Sequence, residues 1–590
     1  MRRSTRGTLA VLTTLALAGA VGCSSDLVDD LAETSVGSGA STPTAPGGVT
    51  GPEDRLTVLA AGPVQAWDPQ RITDRRTAGF ASRTWMRTLT AYQPESALSG
   101  QRTIVGDLAK GTGESNKGAT RWTFELRPGV TWQDGSSITC EDVRHGVARS
   151  FDPEIASSGY ALTYLDIPKE SDGSSAYPGP QGEEGGSKEA KKAQKLINEA
   201  VECTDSSTVV FHLSQSVGNF DEIVSLPEFA PVKVDLEERN ANYRAFSSGP
   251  YELKDGWTPS KGGTWVRNRE WKPKSDPLRR PGPATIVHKE GIAPKEALSA
   301  IIDGDDGGRT LALDPVPPAL GDAIDEAGSL VQSAQTDGQL VDYLAVNAGS
   351  KALKSVDVRR ALAAATDREA YAASMGGGTA TWSLLGTALP SAHETVLDHG
   401  PNGSADAAKQ LVKKSKADPP IELTLAHRDS DRLEAALEEL LPGWKEAGFD
   451  VTLEPVDEEE YFTTISSRSF VEDHDLVWTN WGPDYPSAST VLPPLFDDRV
   501  NLSKKSVGRD YGQYADKNIN EAMDDASGTR DDVDRAKEWA TIDTKLLEDV
   551  AYVPLRQSRL THVAGSEVTS LVANPVYGGI PDLGLIGVAE

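Results

Sequence analysis

Asp484 stands between Trp481 and Tyr485 in the stretch NWGPDYPSAS, directly after the strand-like run HDLVWT. A carboxylate placed there suits one of two tasks. It is a turn residue, or it is the anchor of a pocket whose aromatic walls enclose a ligand. Catalytic spacings offer little competition. The chain has no HExxH, no phosphate-cradling P-loop, no nucleotide GxGxxG and no GxSxG elbow. Its 8 histidines are scattered, without the close His–His or His–Cys spacing of a metal centre. Acid pairs such as Glu458–Glu459 read as a solvated helix face in so acidic a chain, with a glycosidase-like carboxylate pair kept as a lesser alternative. The expectation is a binding protein, not an enzyme, with no cofactor and no metal.

The bulk properties say what must hold that loop. At 590 residues the chain exceeds one simple core, so two or more lobes are expected. It is 38% hydrophobic and 25% charged, as soluble globular proteins are, and its net charge of -29 argues against nucleic acid as a partner. The beginning of the chain has a distinct design. MRRSTRG is basic, TLAVLTTLALAGAVG is apolar, and Cys23 follows. This is the layout of a secretory signal, read over residues 1–22. Ala20-Val21-Gly22-Cys23 resembles a lipobox, with Ala in place of the usual Leu, so a lipid on Cys23 is expected. Residues 23–53, rich in Ser, Thr, Gly and Pro, read as a flexible tether. No later stretch is apolar and long enough to span a bilayer, which leaves the lipid as the expected membrane attachment. The two other cysteines, Cys140 and Cys203, are expected to form a disulfide in an exported chain.

Along the body, RLTVLA reads as a first strand and RTAGFASRTWMRTLTAY as a helix. RWTFEL alternates with period two, RPG turns, and VTWQDG reads as a second strand of the same hairpin. Thr139 and Asp142 then fit a capping box at the start of a helix. STVVFHLSQ, SSGPYELKDG and TWVRNREW supply further strands. SVDVRRALAAATDREAYAAS and DRLEAALEELLPGWKEAGF each read as one helix, the latter between the strands IELTLAHR and DVTLEPVD in a βαβ-like unit. Arg359 and Arg360 are expected to pair with nearby acids.

The blocks RWTFELRPGVTWQDGSSITCEDVRHGVARSF, LPEFAPV, SSGPYEL, YLAVN, DVRRALAAATDRE, DLVWTNWGPDYP, NINEAMDDAS and VAYVPL occur in the order seen in a known family. Over roughly residues 54–555 the chain resembles the extracytoplasmic peptide-binding proteins of ABC importers, family 5. The resemblance implies a two-lobed α/β fold of the periplasmic binding-protein type, with an extra subdomain inserted in the first lobe. Boundaries follow: lobe I over 54–313, the insertion at about 85–205, lobe II over 314–548, and a return to lobe I over 549–590. It implies an oligopeptide enclosed by hinge closure, an ABC permease and ATPase complex as partners, and a monomer. It also places Asp484 where the family pairs a carboxylate with the ligand's α-ammonium. Trp481 and Tyr485 become candidate apolar walls, and Trp67 and Trp382 lesser candidates. Family members often continue Asp-Tyr with Asp-Pro, whereas this chain has Pro486-Ser487-Ala488. Other solutes on the same fold, such as metal chelates or oligosaccharides, therefore stay open, as do a secreted lipoprotein hydrolase and a surface interaction protein.

Overall fold

The computed structural model describes residues 54–589 except 156, 172, 235, 237–240, 281 and 394–398. The signal segment, Cys23 and the tether lie outside the described residues. No helix among the described residues is long and apolar enough to cross a membrane.

One large mixed sheet organises the body. From one edge its strands run Phe449–Val456, Ile421–Arg428, Leu476–Trp481, Val331–Val346, Tyr552–Gly565, Thr310–Ala312, Arg55–Leu59, Thr285–Lys289, Gly262–Arg267 and Tyr251–Thr258. Each half has a parallel group, as βαβ connections require: the first three strands are linked by parallel pairings on one side, and Thr310–Ala312, Arg55–Leu59 and Thr285–Lys289 on the other. Two long antiparallel strands, Val331–Val346 and Tyr552–Gly565, join the halves. Sixteen residues at roughly 3.3 Å each reach about 50 Å, long enough to belong to both.

The buried side chains divide along these strands. Val331 and Val563 pack with Leu59, Leu298 and Ile301, whereas Val341, Leu344, Tyr552 and Leu555 pack with Trp444, Trp478 and Trp539. Register shifts between Asp337 and Val341, and between Asp342 and Tyr343, fall where one core gives way to the other. The fold is thus a mixed α/β, two-lobed binding-protein architecture with an inserted subdomain.

That subdomain is a four-stranded sheet, Glu114–Ser115, Arg121–Glu125, Thr208–His212 and Val201–Asp205, with its own core from Leu89 to Phe229. It therefore runs past residue 205. Its central pairing is non-local: Arg121–Glu125 pairs with Thr208–His212, and not with VTWQDG. The latter forms a tight turn, with Thr131 bridged to Ser137 and the Gln133 amide donating to the Ser247 carbonyl. Cys140 and Cys203 are joined by a disulfide, 5.7 Å between Cα atoms, which ties the helix Cys140–Arg149 to the edge strand. Thr139 caps that helix, and the Asp142 carboxylate accepts from the Thr139 amide at 2.8 Å.

Two expected helices are each broken in two. Val356–Ala364 stops before Asp367, whose side chain caps Arg368–Ser374, and Pro442 starts a new helix, Leu441–Ala447, after Asp431–Glu438. Among the described residues, Arg359 and Arg360 meet no acid side chain in hydrogen-bond range. They donate instead to the carbonyls of Asp549 and Glu548 at the end of the helix Asp532–Glu548, where cations offset the helix dipole.

A candidate ligand pocket around Asp484

The strand Leu476–Trp481 delivers the loop that carries Asp484, and four features fix that loop. Gly482 passes so close to the long central strand that a Cβ there would meet the Gln339 carbonyl at 2.9 Å. Thr490 is buried and its hydroxyl accepts from the Asp484 amide at 3.0 Å, while the Trp481 indole donates to the Thr490 carbonyl at 2.9 Å. Ser487 meets Asn219 of the subdomain at 3.2 Å. Tyr485 inserts into the subdomain core, 2% exposed. The loop is thus pinned on both sides, by the second lobe and by the subdomain.

Asp484 itself stays half-exposed, with 55% of its side chain accessible. The Tyr160 hydroxyl donates to its Oδ2 at 2.6 Å. Burial, followed by the neighbouring tyrosine and the Asp484 carboxylate, holds the Tyr160 hydroxyl well above its usual pKa, so it remains a donor at neutral pH. Arg75, the first residue of the helix Arg75–Thr84, brings an Nη to 3.7 Å from Asp484 Oδ1, an ion pair without a hydrogen bond. Its side chain as a whole is 24% exposed, yet both terminal nitrogens are buried and lack hydrogen-bond partners among the described residues. Burial pulls its pKa down and Asp484 opposes that shift; a guanidinium nonetheless stays charged.

Asp484 and Arg75 line a small cavity of about 40 Å³ that opens to solvent. Tyr92, Tyr577, Met86 and Leu226 complete much of its wall. The Tyr92 hydroxyl is buried and unpartnered, whereas Tyr577 reaches Ser82 at 3.1 Å. Behind Tyr485 and Tyr92, Glu222 faces Arg535 at 3.4 Å, and burial pushes its carboxyl up to about 8.

The structure brings together Asp484 and Tyr485, but not the other aromatic candidates. Trp67 is fully buried in the first-lobe core, its ring 5.0 Å from Trp257, 5.1 Å from Trp265 and 5.4 Å from Phe80. The WDPQ turn folds its indole inward, so it is a packing residue and not a pocket wall. Trp382 lies against the Arg368 guanidinium, 5.8 Å from ring to cation, and does not line the cavity. Trp481 stands behind the loop with Arg509 over its ring at 4.9 Å. Sequence reasoning missed Tyr160, Arg75, Tyr92 and Thr490. Each is separated from Asp484 in the chain or looks like an ordinary polar residue, and only Tyr160, in SGYALTYL, sits in a distinctive aromatic pair.

Comparison with known proteins decides the family. The model for bacterial extracellular solute-binding proteins, family 5 (middle), matches residues 103–502. The chain belongs to this family. It is 22% identical to the probable D,D-dipeptide-binding periplasmic protein DdpA of Escherichia coli K12, over 89% of this chain and 92% of the relative. Among solved structures, the clavulanic acid biosynthesis oligopeptide binding protein 2 superposes with a TM-score of 0.78 at 24% identity, covering 91% of this chain and 95% of the other. The unliganded open form of the murein tripeptide binding protein MppA gives 0.72 at 17% identity, covering 91% and 98%. Family-5 membership makes the chain a solute-binding protein of the ABC-importer type, with extracytoplasmic relatives.

Proposed function

We propose that the protein captures peptides in the cleft between its lobes and delivers them to an ABC permease powered by an ATPase complex. Asp484 is the anchor for the peptide's α-ammonium. The observation that carries this reading is a half-exposed carboxylate on a rigid loop, facing a pocket bordered by both the first lobe and the subdomain, with the Tyr160 hydroxyl on one oxygen. An ammonium placed there gains charge-assisted hydrogen bonds in a largely enclosed site. Tyr485 and Tyr160, 5.8 Å between rings, form an aromatic corner beside it. The names of relatives that bind a D,D-dipeptide, an oligopeptide and a murein tripeptide support peptides as the solute class.

In this reading residues 1–22 are removed as a signal, Cys23 carries the lipid, and residues 24–53 tether the body to the outer face of the membrane. Lobe I spans 54–313 and 549–590, lobe II spans 314–548, and the protein acts as a monomer that performs no chemistry on its cargo. Native mass spectrometry of the protein purified without denaturant tests the reading. Co-purifying masses that fragment as short peptides are the expected result. A sugar or metal-chelate mass in their place overturns it.

A further inference from the structure

Next to the Asp484 carboxylate the pocket holds donors that the protein leaves unused. Arg75 and Tyr92 line the same cavity, and both terminal nitrogens of Arg75 and the Tyr92 hydroxyl are buried with no hydrogen-bond partner among the described residues. Leaving such groups unsatisfied is costly, and a buried guanidinium without acceptors is among the costliest cases. The other polar groups around the cavity are already engaged. Asp484 accepts from Tyr160, Tyr577 meets Ser82, and the Ser225 hydroxyl donates to the Glu222 carbonyl at 2.6 Å. What the free donors lack is an acceptor, and a carboxylate supplies two oxygens in the planar geometry a guanidinium fork matches.

Charge leads to the same place. Arg75 and Asp484 offset each other at 3.7 Å. A ligand bringing only an ammonium to Asp484 sets a second cation close to Arg75, with one positive charge uncompensated. Glu222 does not restore the balance, because it already faces Arg535. A ligand with an ammonium and a carboxylate a few bonds apart leaves the pocket neutral and satisfies Arg75 and Tyr92 together.

We propose that Arg75 and Tyr92 form a carboxylate subsite beside the ammonium site, so that the preferred cargo is a peptide whose first residue is aspartate or glutamate. The side-chain carboxylate of that residue lies on the Arg75 guanidinium and accepts from Tyr92, while its α-ammonium lies on Asp484 and Tyr160. This inference rests on the peptide reading above and adds the identity of the first residue.

Isothermal titration of the full chain, freed of bound cargo, tests it with Asp-Ala-Ala, Glu-Ala-Ala, Ala-Ala-Ala and N-acetyl-Asp-Ala-Ala. An acidic first residue is expected to bind roughly tenfold or more tighter than alanine, the usual scale of one charge-assisted bidentate contact. In Arg75→Met the ratio falls to within about twofold, Arg75→Lys keeps part of it as a point charge, and Tyr92→Phe lowers it by about threefold. Should Arg75→Met fail to fold, Tyr92→Phe carries the test alone. Equal binding of acidic and alanine peptides by the unmodified protein overturns the subsite and leaves the peptide reading standing. So does a preference that survives both Arg75→Met and Tyr92→Phe. Undiminished binding of the acetylated peptide overturns the ammonium anchor but not the carboxylate subsite, and no binding of any peptide overturns both.

Discussion

Replacing Asp484 with alanine removes the charge on which the proposed mode of capture turns. In the unliganded structure its partners are the Tyr160 hydroxyl at 2.6 Å and Arg75 at 3.7 Å. Unit charges 3.7 Å apart attract by about 4.5 kcal/mol at an effective dielectric of about 20, and by about 1 kcal/mol in bulk water. With 55% of the side chain accessible, the true value lies toward the watery end. A ligand ammonium approaches closer, makes direct hydrogen bonds and is sealed from water. Truncating one partner of such an enclosed pair costs roughly 2–5 kcal/mol. The ligand must share Asp484 with Arg75, which removes about 1 kcal/mol or more of that gain. The expected net loss is about 1–4 kcal/mol, or roughly 5- to 900-fold in Kd. Titration of a short peptide into Asp484→Ala measures it. Asp484→Asn, which keeps the shape without the charge, should fall nearly as far. The unliganded variant should also lose stability, since Arg75 is left buried without its counter-charge, and the double variant Arg75→Met/Asp484→Ala should regain it. A Kd within threefold of the unmodified protein would refute the anchor.

Three other outcomes follow from the fold. Removing the Cys140–Cys203 bridge, which spans 63 residues, is expected to cost about 4 kcal/mol by loop entropy, read as a lower denaturant midpoint for the Cys140→Ala/Cys203→Ala pair. An unchanged midpoint would mean that the reduced subdomain keeps its structure in the unfolded ensemble. Trp67→Ala should destabilise by roughly 3–5 kcal/mol with ligand affinity intact, because the indole fills the first-lobe core; a selective loss of affinity would return it to the pocket. His288 is buried among Trp67, Phe80 and Trp257 with neither ring nitrogen bonded, and burial lowers its pKa to about 3. The unfolded chain binds this proton below about pH 6.5 and the folded chain does not, so stability falls as pH drops from there toward 3, by about 2 kcal/mol at pH 5. Denaturant titrations of His288→Leu across that range should show a slope flatter by about one proton. An unaltered slope would place the acid sensitivity elsewhere.

Much was legible because it is local. Signals such as period-two alternation in RWTFEL, the Thr139–Asp142 cap and the strand before NWGPDYP depend on residues a few positions apart, and the structure has each of them. The misreadings were also local in origin. VTWQDG alternates like a strand, yet contacts with Ser247 and Lys233 hold it as a turn, and the partner of RWTFEL comes from residues 208–212. Helical periodicity ran straight across Asp367 and Pro442, where caps restart the helix.

The sequence by itself determined the family blocks, the lobe count, the cysteine pair as a candidate bridge and the single acid worth asking about. Tertiary structure decided which side chains meet that acid. Arg75 lies 409 positions before Asp484 and Tyr160 lies 324 before it, and no periodicity reports a distance of that kind. It decided as well that Trp67 turns inward, since an indole beside a turn reads the same whether it faces a cleft or a core. Burial is a property of the assembled lobes, and it alone leaves the donors of Arg75 and Tyr92 without acceptors.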